Sequence, residues 1–166
     1  MVGFAGLVAL SSASCSRSAD NDPMKGAAAG PAGQYRPLKV AAMTVYRDPG
    51  CGCCEQWAKR AQDAGFTVAV IDNDDMPAIK RKLGVPAALG SCHTAVVGQY
   101  VLEGHVPFDS VLRLLRARPA DLAGLAVPGM PRGSPGMEMP DGSSDPIEVQ
   151  AFDHAGRIWA FANKSA

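Results

Sequence analysis

The sequence D-P-G-C-G-C-C-E constrains this chain more than any other feature, because it places Cys51, Cys53 and Cys54 within a single turn of backbone. Cys51 and Cys54 have the C-x-x-C spacing of thiol redox motifs, and Cys53 adds a third sulfur that dithiol exchange does not require. Farther along, Cys92 and His93 are adjacent, and methionines follow. Thiolate, imidazole and thioether donors together suit a soft metal, above all Cu(I). The chain must therefore fold so that this segment forms a site.

The cysteine run lies between a predicted strand and a predicted helix. The apolar run K-V-A-A-M-T-V-Y precedes it and ends at the turn signal D-P-G. Cys54, Trp57, Ala58 and Ala61 then recur at the spacing of one helix face, and Gly65 is placed to end that helix. Trp57 is interpreted as a packing residue. The cysteines are therefore expected at a helix N-terminus, where free N–H groups and the helix dipole favour thiolates.

The rest of the pattern predicts an α/β domain with a thioredoxin-like order of elements. T-V-A-V-I is typical of a strand buried on both faces, and it is followed by a capped helix. T-A-V-V and Y-V-L flank Gly98-Gln99 as a hairpin. A third helix is predicted over Asp109–Arg118, and the chain ends in a β-hairpin carrying Phe152, Trp159 and Phe161. The order strand, helix, strand, helix, strand, strand, helix is that of thioredoxins.

The segment A-A-L-G-S-C-H is the main departure from that pattern. Thioredoxins carry a proline just before the third strand, whereas here Pro86 lies well ahead of Thr94. If the inserted segment folds over the N-terminus of the first helix, Cys92 and His93 come close to the cysteine run.

The N-terminal part predicts export. The first residues contain a short apolar stretch followed by small residues, which resembles a secretory signal and is too short to span a bilayer. Residues 17–37 are rich in Ala, Gly, Pro and Ser, so they read as a disordered tether. We therefore predict a signal-like segment and tether over 1–37, a folded domain over 38–166, a periplasmic or cell-envelope location, and no transmembrane helix in the mature protein. A lipid anchor at Cys15 is an alternative, but Ser12 occupies the position where lipoprotein signals prefer leucine.

Charge argues against nucleic acid as a partner. Sixteen basic residues balance sixteen acidic ones, and neither sign forms a long block. An anionic surface is disfavoured on the same ground.

Residues 128–146, the Met-rich loop, form a long irregular stretch dominated by Pro and Gly, and such a stretch in a compact domain is either disordered or functional. Met130, Met137 and Met139 lie in it, where no helical or strand period makes them core residues. Thioethers on a loop can turn toward a soft metal. An oxidisable loop with no metal role is the alternative.

Four runs in this order, D-P-G-C-G-C-C, G-V-P-A-A-L-G-S-C-H-T-A, E-G-H-V-P and L-A-V-P-G-M-P-R-G-S-P-G-M-E-M, resemble the CopG family of copper resistance proteins. The resemblance implies an exported, thioredoxin-like protein that binds copper and takes part in copper tolerance, with copper ions and other copper-handling envelope proteins as partners. Position by position, the resemblance implies as metal ligands Cys51, Cys53, Cys54, Cys92, His93, Met137 and Met139. Four cysteines shared as bridging ligands would support a multinuclear Cu(I) site.

Other interpretations remain open. A Cys51–Cys54 disulfide would indicate a thiol–disulfide oxidoreductase, with Cys51 as the attacking thiolate and Cys54 as the resolving partner. An enzyme that cycles copper between Cu(I) and Cu(II) is a third hypothesis, and a structural zinc ion held by Cys92, His93 and two of the clustered cysteines is a fourth. His105 is open between a hydrogen-bonded turn residue and a ligand. His154, in the last hairpin turn, is expected to be exposed.

Overall fold

The structure, a computed structural model, describes residues 41–164 together with Met1 and Gly3. Apart from those two residues, the predicted signal-like segment, the tether and Cys15 lie outside the described residues. The strands are β1 (Ala42–Arg47), β2 (Thr67–Asp72), β3 (His93–Val97), β4 (Tyr100–Glu103), β5 (Leu122–Ala126), β6 (Ile147–Asp153) and β7 (Ile158–Lys164). The helices are α1 (Gly52–Asp63), α2 (Met76–Lys82) and α3 (Phe108–Ala117), with a short 3-10 turn at Ala87–Leu89. None of the helices in this part of the chain has the length and apolar character needed to cross a bilayer.

All seven strands form one mixed sheet in the order β2-β1-β3-β4-β5-β6-β7. Strands β1 and β2 are parallel, as are β4 and β5, and the other neighbours are antiparallel. The predicted α/β, thioredoxin-like fold is confirmed. The predicted C-terminal hairpin adds to the sheet through β6.

Two apolar clusters lie on opposite faces of the sheet. The larger contains Trp57 and Ala61 of α1 and Leu114 of α3 against the strands, and the smaller contains Leu89 and Phe152. Side chains alternate between the faces of a strand, so neighbouring residues of β4 enter different clusters. The helix face predicted for α1 is confirmed, since its four members are buried.

Strand β5 was not anticipated from the sequence. Its residues L-A-G-L-A are small and interrupted by Gly124, which weakens a strand pattern. A Cβ at Gly124 would lie 2.1 Å from the Val101 carbonyl oxygen and 2.5 Å from the Phe152 ring. Gly124 therefore permits β4, β5 and β6 to approach closely. The same glycine weakens the strand pattern in the sequence, which is why β5 was not predicted.

The prediction that residues 67–71 are buried on both faces was wrong. Strand β2 is an edge strand, and most of its side chains are exposed, with Val70 and Ile71 each 43% exposed. A continuous apolar run is typical of a central parallel strand, but the same run on an edge strand has neighbours on one side only.

The β6–β7 turn is held by a buried carboxylate. Asp153 accepts hydrogen bonds from the backbone N–H groups of Ala155 and Arg157, both at 2.9 Å, and from Arg157 Nε at 2.6 Å. The hydrogen bonds from the Arg157 backbone and side chain hold the pKa of Asp153 below its ordinary value of 3.8. The charged form of Asp153 is therefore stabilised in the folded protein.

We expect Asp153→Asn to lower the melting temperature at pH 7, because asparagine keeps an acceptor oxygen but loses the charge. A carboxyl group with a depressed folded pKa contributes stability above its unfolded pKa and loses it as the pH falls through the folded value. The difference between wild type and variant should therefore close below pH 3.8. Thermal unfolding followed by circular dichroism from pH 7 to 2.5 measures it, and a gap that stays constant to the lowest pH would contradict the assignment.

Candidate metal centre

The cysteine run lies at the N-terminus of α1, as predicted. Cys51 is the N-cap residue, and its backbone N–H donates to the Asp48 carbonyl at 3.0 Å, which closes the D-P-G turn. Cys54 is buried on the core face of the helix, whereas Cys53 is half-buried. Because the turn ends and the helix begins within this run, Cys51, Cys53 and Cys54 converge on one spot.

Cys51 and Cys54 are joined in a disulfide, and Cys53 and Cys92 are the free cysteines of the described residues. This pairing is the one considered as an alternative from the C-x-x-C spacing. It leaves two thiols beside an oxidised pair, so the structure describes the oxidised form of the site.

Cys92 joins the cysteines of α1 from the start of β3. The 3-10 turn and the residues after it carry Cys92 to the N-terminus of α1, where the sulfur atoms of Cys51, Cys53, Cys54 and Cys92 lie within 4.8 Å of one another. The Cys51 and Cys53 sulfurs are 3.6 Å apart. We name these residues the four-cysteine group. The expectation that the inserted segment brings Cys92 to the cluster is confirmed.

Cys92 also belongs to a second set of donors. Its sulfur lies 3.3 Å from His93 Nδ1 and 3.1 Å from His105 Nε2, and the three residues offer ligand atoms within 4.8 Å of one another. We name them the Cys–His–His group. The two groups share Cys92, so a metal bound by one is next to a metal bound by the other.

The proton positions in the Cys–His–His group follow from its hydrogen bonds. His105 Nδ1 lies 2.8 Å from the Pro135 carbonyl oxygen, which only accepts, so Nδ1 carries the proton and Nε2 is free to accept from the Cys92 thiol. His93 Nδ1 lies within hydrogen-bond distance of the same sulfur. His93 Nε2 is buried with no hydrogen-bond partner among the described residues. A buried imidazole nitrogen of this kind is a candidate metal ligand when the ring is neutral.

Burial sets the protonation states of this group. It lowers the pKa of His93 well below 6.5, with nearby His105 and Lys80 adding to the effect, and it lowers the pKa of His105. Both imidazoles are therefore neutral at neutral pH, which is the form that binds metals. Burial, and secondly the neighbouring Cys53, raise the pKa of Cys92 from 9.0 to about 12. In the metal-free protein Cys92 is a thiol, and a metal must displace its proton.

Aromatic packing fixes the His93 ring. The Trp57 and His93 ring centroids are 4.6 Å apart, and His93 meets His105 edge-on at 5.1 Å. Trp57 is fully buried, and its Nε1–H donates to the Val106 carbonyl at 3.2 Å. Trp57 is thus a packing residue, as predicted, and it packs directly on a donor of the site.

The Met-rich loop closes on itself and contacts α1. Arg132 and Asp145 pair across its neck, with Arg132 Nη2 2.7 Å from Asp145 Oδ1. Glu138 accepts from Arg60 Nε of α1 at 2.9 Å. Gly136, with φ +83°, lies so close to α1 that a Cβ there would be 2.6 Å from the Trp57 backbone nitrogen and 3.0 Å from the Cys53 carbonyl oxygen. The loop backbone therefore reaches the turn of α1 that carries the cysteines.

The predicted site residues differ in how closely the structure brings them together. The four cysteines meet, and His93 reaches them through Cys92. Met137 and Met139 are half-buried in the Met-rich loop and Met130 is 55% exposed, so their role as ligands stays a prediction. His105 is the addition that the sequence left open, and its place in E-G-H-V-P was the signal for it. His154 is exposed, as expected.

The donor set fits copper. Sulfur atoms and neutral ring nitrogens in a half-buried pocket are soft to borderline ligands, which favour Cu(I) and tolerate Cu(II). His93 Nε2, which has no hydrogen-bond partner in the part of the chain that the structure describes, is one atom that a bound ion could pair with. Reduction of the disulfide would make Cys51 and Cys54 available as well.

Comparison with known proteins agrees with this description. Residues 89–137 match a family described as a protein of unknown function, DUF411. Two solved structures, titled copper resistance protein CopG form 1 and form 2, are similar over their whole length. The first is 44% identical, covers 77% of this chain and all of its own, and has a TM-score of 0.71. The second is 43% identical, covers 76% of this chain and all of its own, and has the same TM-score.

No curated protein matches the chain. Each of the two solved structures is at least 43% identical and covers about three quarters of this chain. The chain therefore belongs to the CopG family of copper resistance proteins.

Proposed function

We propose that this protein binds copper in the cell envelope and contributes to copper resistance, holding Cu(I) in the four-cysteine group with the Cys–His–His group beside it. One observation carries the proposal: four sulfur atoms lie within 4.8 Å of one another and share Cys92 with two buried imidazoles. The titles of the two related structures support copper as the metal. Export rests on the signal-like start of the sequence and on the resemblance, and other copper-handling envelope proteins are the expected partners.

The number of donors favours copper over a structural zinc ion. A tetrahedral zinc site needs four ligands, whereas the two groups offer six, three of them from one turn of α1. Thiolates packed this densely can each bridge two ions, as a multinuclear Cu(I) site requires. The resemblance adds the thioethers of Met137 and Met139 as further ligands.

The redox state of the cysteines sets how many sulfur atoms of the site can bind a metal. With the Cys51–Cys54 disulfide formed, the available donors are Cys53, Cys92 and the two histidines. Adding two electrons and two protons opens the disulfide and supplies two more sulfurs. Copper bound there would supply one-electron chemistry, and the mixed sulfur and nitrogen environment would tune its potential.

We expect the reduced wild-type protein, purified without oxygen, to take up Cu(I), with more than one ion per chain if the cysteines bridge. The triple variant Cys51→Ser, Cys53→Ser, Cys54→Ser should lose most of this uptake, because serine oxygen is a poor ligand for Cu(I). Copper analysis with a thiol count measures both. Cys15→Ser is the matched control, since it removes a cysteine that is not predicted to be a ligand and should leave uptake unchanged. Full uptake by the triple variant would contradict the proposal.

The contact between the Met-rich loop and α1 gives a second test of the site. Gly136 and Gly142 lie in the same loop with similar positive φ angles, +83° and +74°. A Cβ at Gly136 meets the α1 backbone, whereas a Cβ at Gly142 meets nothing within 4 Å. Alanine strains the backbone equally at both positions but displaces the loop from α1 at one.

We expect Gly136→Ala to weaken Cu(I) binding by about tenfold, the lower end of the effects of outer-shell contacts on metal affinity. Gly142→Ala should bind Cu(I) like wild type. Competition with a coloured Cu(I) chelator measures both affinities. Equal affinities for the two variants would show that the loop does not contribute to the site.

A thiol–disulfide oxidoreductase is the second candidate function, favoured by the disulfide between Cys51 and Cys54. In this reaction the Cys51 thiolate attacks a partner disulfide and forms a mixed disulfide, releasing one partner thiolate. The Cys54 thiolate then attacks the Cys51 sulfur, which releases the second partner thiolate. The partner gains two electrons and the protein regains its disulfide.

This candidate predicts disulfide reductase activity that survives Cys53→Ser and Cys92→Ser and disappears in Cys51→Ser, because only the C-x-x-C pair exchanges electrons. Reduction of a small disulfide substrate by pre-reduced, copper-free protein measures it. Activity that needs Cys53 or Cys92, or no activity in wild type, would leave copper binding as the function.

A further inference from the structure

Glu103, the last residue of β4, is a fully buried carboxylate that belongs to neither donor group. Its Oε1 accepts from Lys80 Nζ of α2 at 2.5 Å and from the Ser91 backbone N–H at 2.6 Å. Its Oε2 accepts from Thr94 Oγ1 at 2.6 Å. One carboxylate therefore joins α2, the segment before β3, and the sheet.

The bond to Ser91 matters because Ser91 precedes Cys92. Ser91 is held at two further points: its Oγ donates to the Gly129 carbonyl at 2.6 Å, and its side chain packs on Gly104, where a Cβ would lie 2.5 Å from that Oγ. Ser91 is thus fixed by β4 and by the Met-rich loop together. Among these contacts, the acceptor for its N–H is supplied by Glu103.

Lys80 supplies the countercharge for this carboxylate. Its side chain is 16% exposed, and Lys80 Nζ also donates to Thr94 Oγ1 at 3.1 Å. Burial raises the pKa of Glu103, and the hydrogen bonds from Lys80 and Thr94 oppose that rise. The negative charge of Glu103 forms the ion pair with Lys80, whereas the length of its side chain lets the carboxylate accept the Ser91 N–H.

We propose that Glu103 is a positioning residue for the metal centre: by accepting the Ser91 N–H, it holds Cys92 at the point that the four-cysteine and Cys–His–His groups share. Cys92 is the residue common to both groups, so its displacement separates them. Glu103 acts on the site through Ser91, because its hydrogen bonds go to Lys80, Ser91 and Thr94 and not to a sulfur or imidazole of either group.

The two conservative variants of Glu103 separate positioning from a plain ion pair. Glu103→Gln keeps the length of the side chain and an oxygen for the Ser91 N–H but loses the charge. Glu103→Asp keeps the charge but is one methylene shorter. The flexible Lys80 side chain can follow the shorter carboxylate, whereas the Ser91 backbone N–H, held by the Gly129 and Gly104 contacts, cannot. Positioning predicts that glutamine preserves the place of Cys92 and aspartate does not, whereas a plain ion pair predicts the reverse.

The experiment is alkylation of the copper-free, oxidised full chain at neutral pH, with mass spectrometry of the cysteine peptides. In this form Cys53 and Cys92 are free thiols carried by different segments of the chain, so the ratio of Cys92 to Cys53 labelling is internal to each molecule. We expect Glu103→Asp to raise this ratio about tenfold, the factor that corresponds to a buried N–H losing its acceptor. Glu103→Gln should stay within about twofold of wild type, since its amide oxygen still accepts.

Asp153→Glu is the matched control. Asp153 is the other buried carboxylate described above, and it also accepts from backbone N–H groups and a cation, but in the β6–β7 turn. It should lower stability without changing the labelling ratio. The proposal is overturned if Glu103→Asp leaves the ratio unchanged, if Glu103→Gln raises it more than Glu103→Asp does, or if Asp153→Glu raises it equally.

A second measurement rests on the proposed function and keeps the two claims separate. Glu103→Asp should bind Cu(I) about tenfold more weakly than Glu103→Gln, as expected for an outer-shell partner of a ligand. If wild type binds no copper, the proposed function fails while the labelling result still decides the role of Glu103. If copper binds equally to both variants while labelling differs, the Cys92 position is set by Glu103 but is not limiting for affinity, and the link to the metal is overturned.

Discussion

The antiparallel pairing of β1 with β3 is the constraint on which the rest of the site depends. It aligns Arg47, at the end of β1, with His93, at the start of β3. Because Cys51 follows β1 and Cys92 precedes β3, one register brings together sulfurs far apart in the sequence. Thr94 pairs with Glu103, and Glu103 pairs with Ala126, so β4 and β5 finish at this same end of the sheet. His105 follows β4 and the Met-rich loop follows β5, so both begin there.

The chemistry of the site is dominated by burial. Two imidazoles are kept neutral, the Cys92 thiol is kept protonated, and His93 Nε2 has no hydrogen-bond partner in the described part of the chain. A metal ion bound there would have to displace the thiol proton. Because Cys51 and Cys54 are joined in a disulfide, the number of sulfur atoms available to a metal depends on whether that disulfide is reduced. The proposed copper site and the disulfide therefore share the same cysteines.

Most of the fold was predictable from the sequence, and the exceptions have physical reasons. The face of α1, the Gly98-Gln99 hairpin and the position of the cysteines at a helix N-terminus follow from local periodicity and turn chemistry, which are properties of adjacent residues. Strand β5 was missed because Gly124 is required by Val101 and Phe152, which are distant in sequence. The exposure of β2 depends on which strand lies at the edge, and that is a property of the whole sheet.

The residues of the candidate site also fall into those that the sequence could predict and those that it could not. The cysteines and His93 stand in recognisable runs, so their chemistry could be inferred before their geometry. The role of His105 depends on the Pro135 carbonyl fixing its tautomer, and the role of Glu103 depends on the Ser91 N–H. Such hydrogen bonds across the chain leave no local pattern, so sequence reasoning reached the donors and missed what orients them.

The neck of the Met-rich loop has a consequence for how this architecture could vary. Strands β5 and β6 are antiparallel neighbours, and a turn of a few residues would be enough to join them. The loop between them is therefore an excursion whose two ends are already held by the sheet and by the Arg132–Asp145 pair. The pairing of β5 with β6 does not use residues of this loop, so a change in the loop's length or composition would leave the order of the strands as it is.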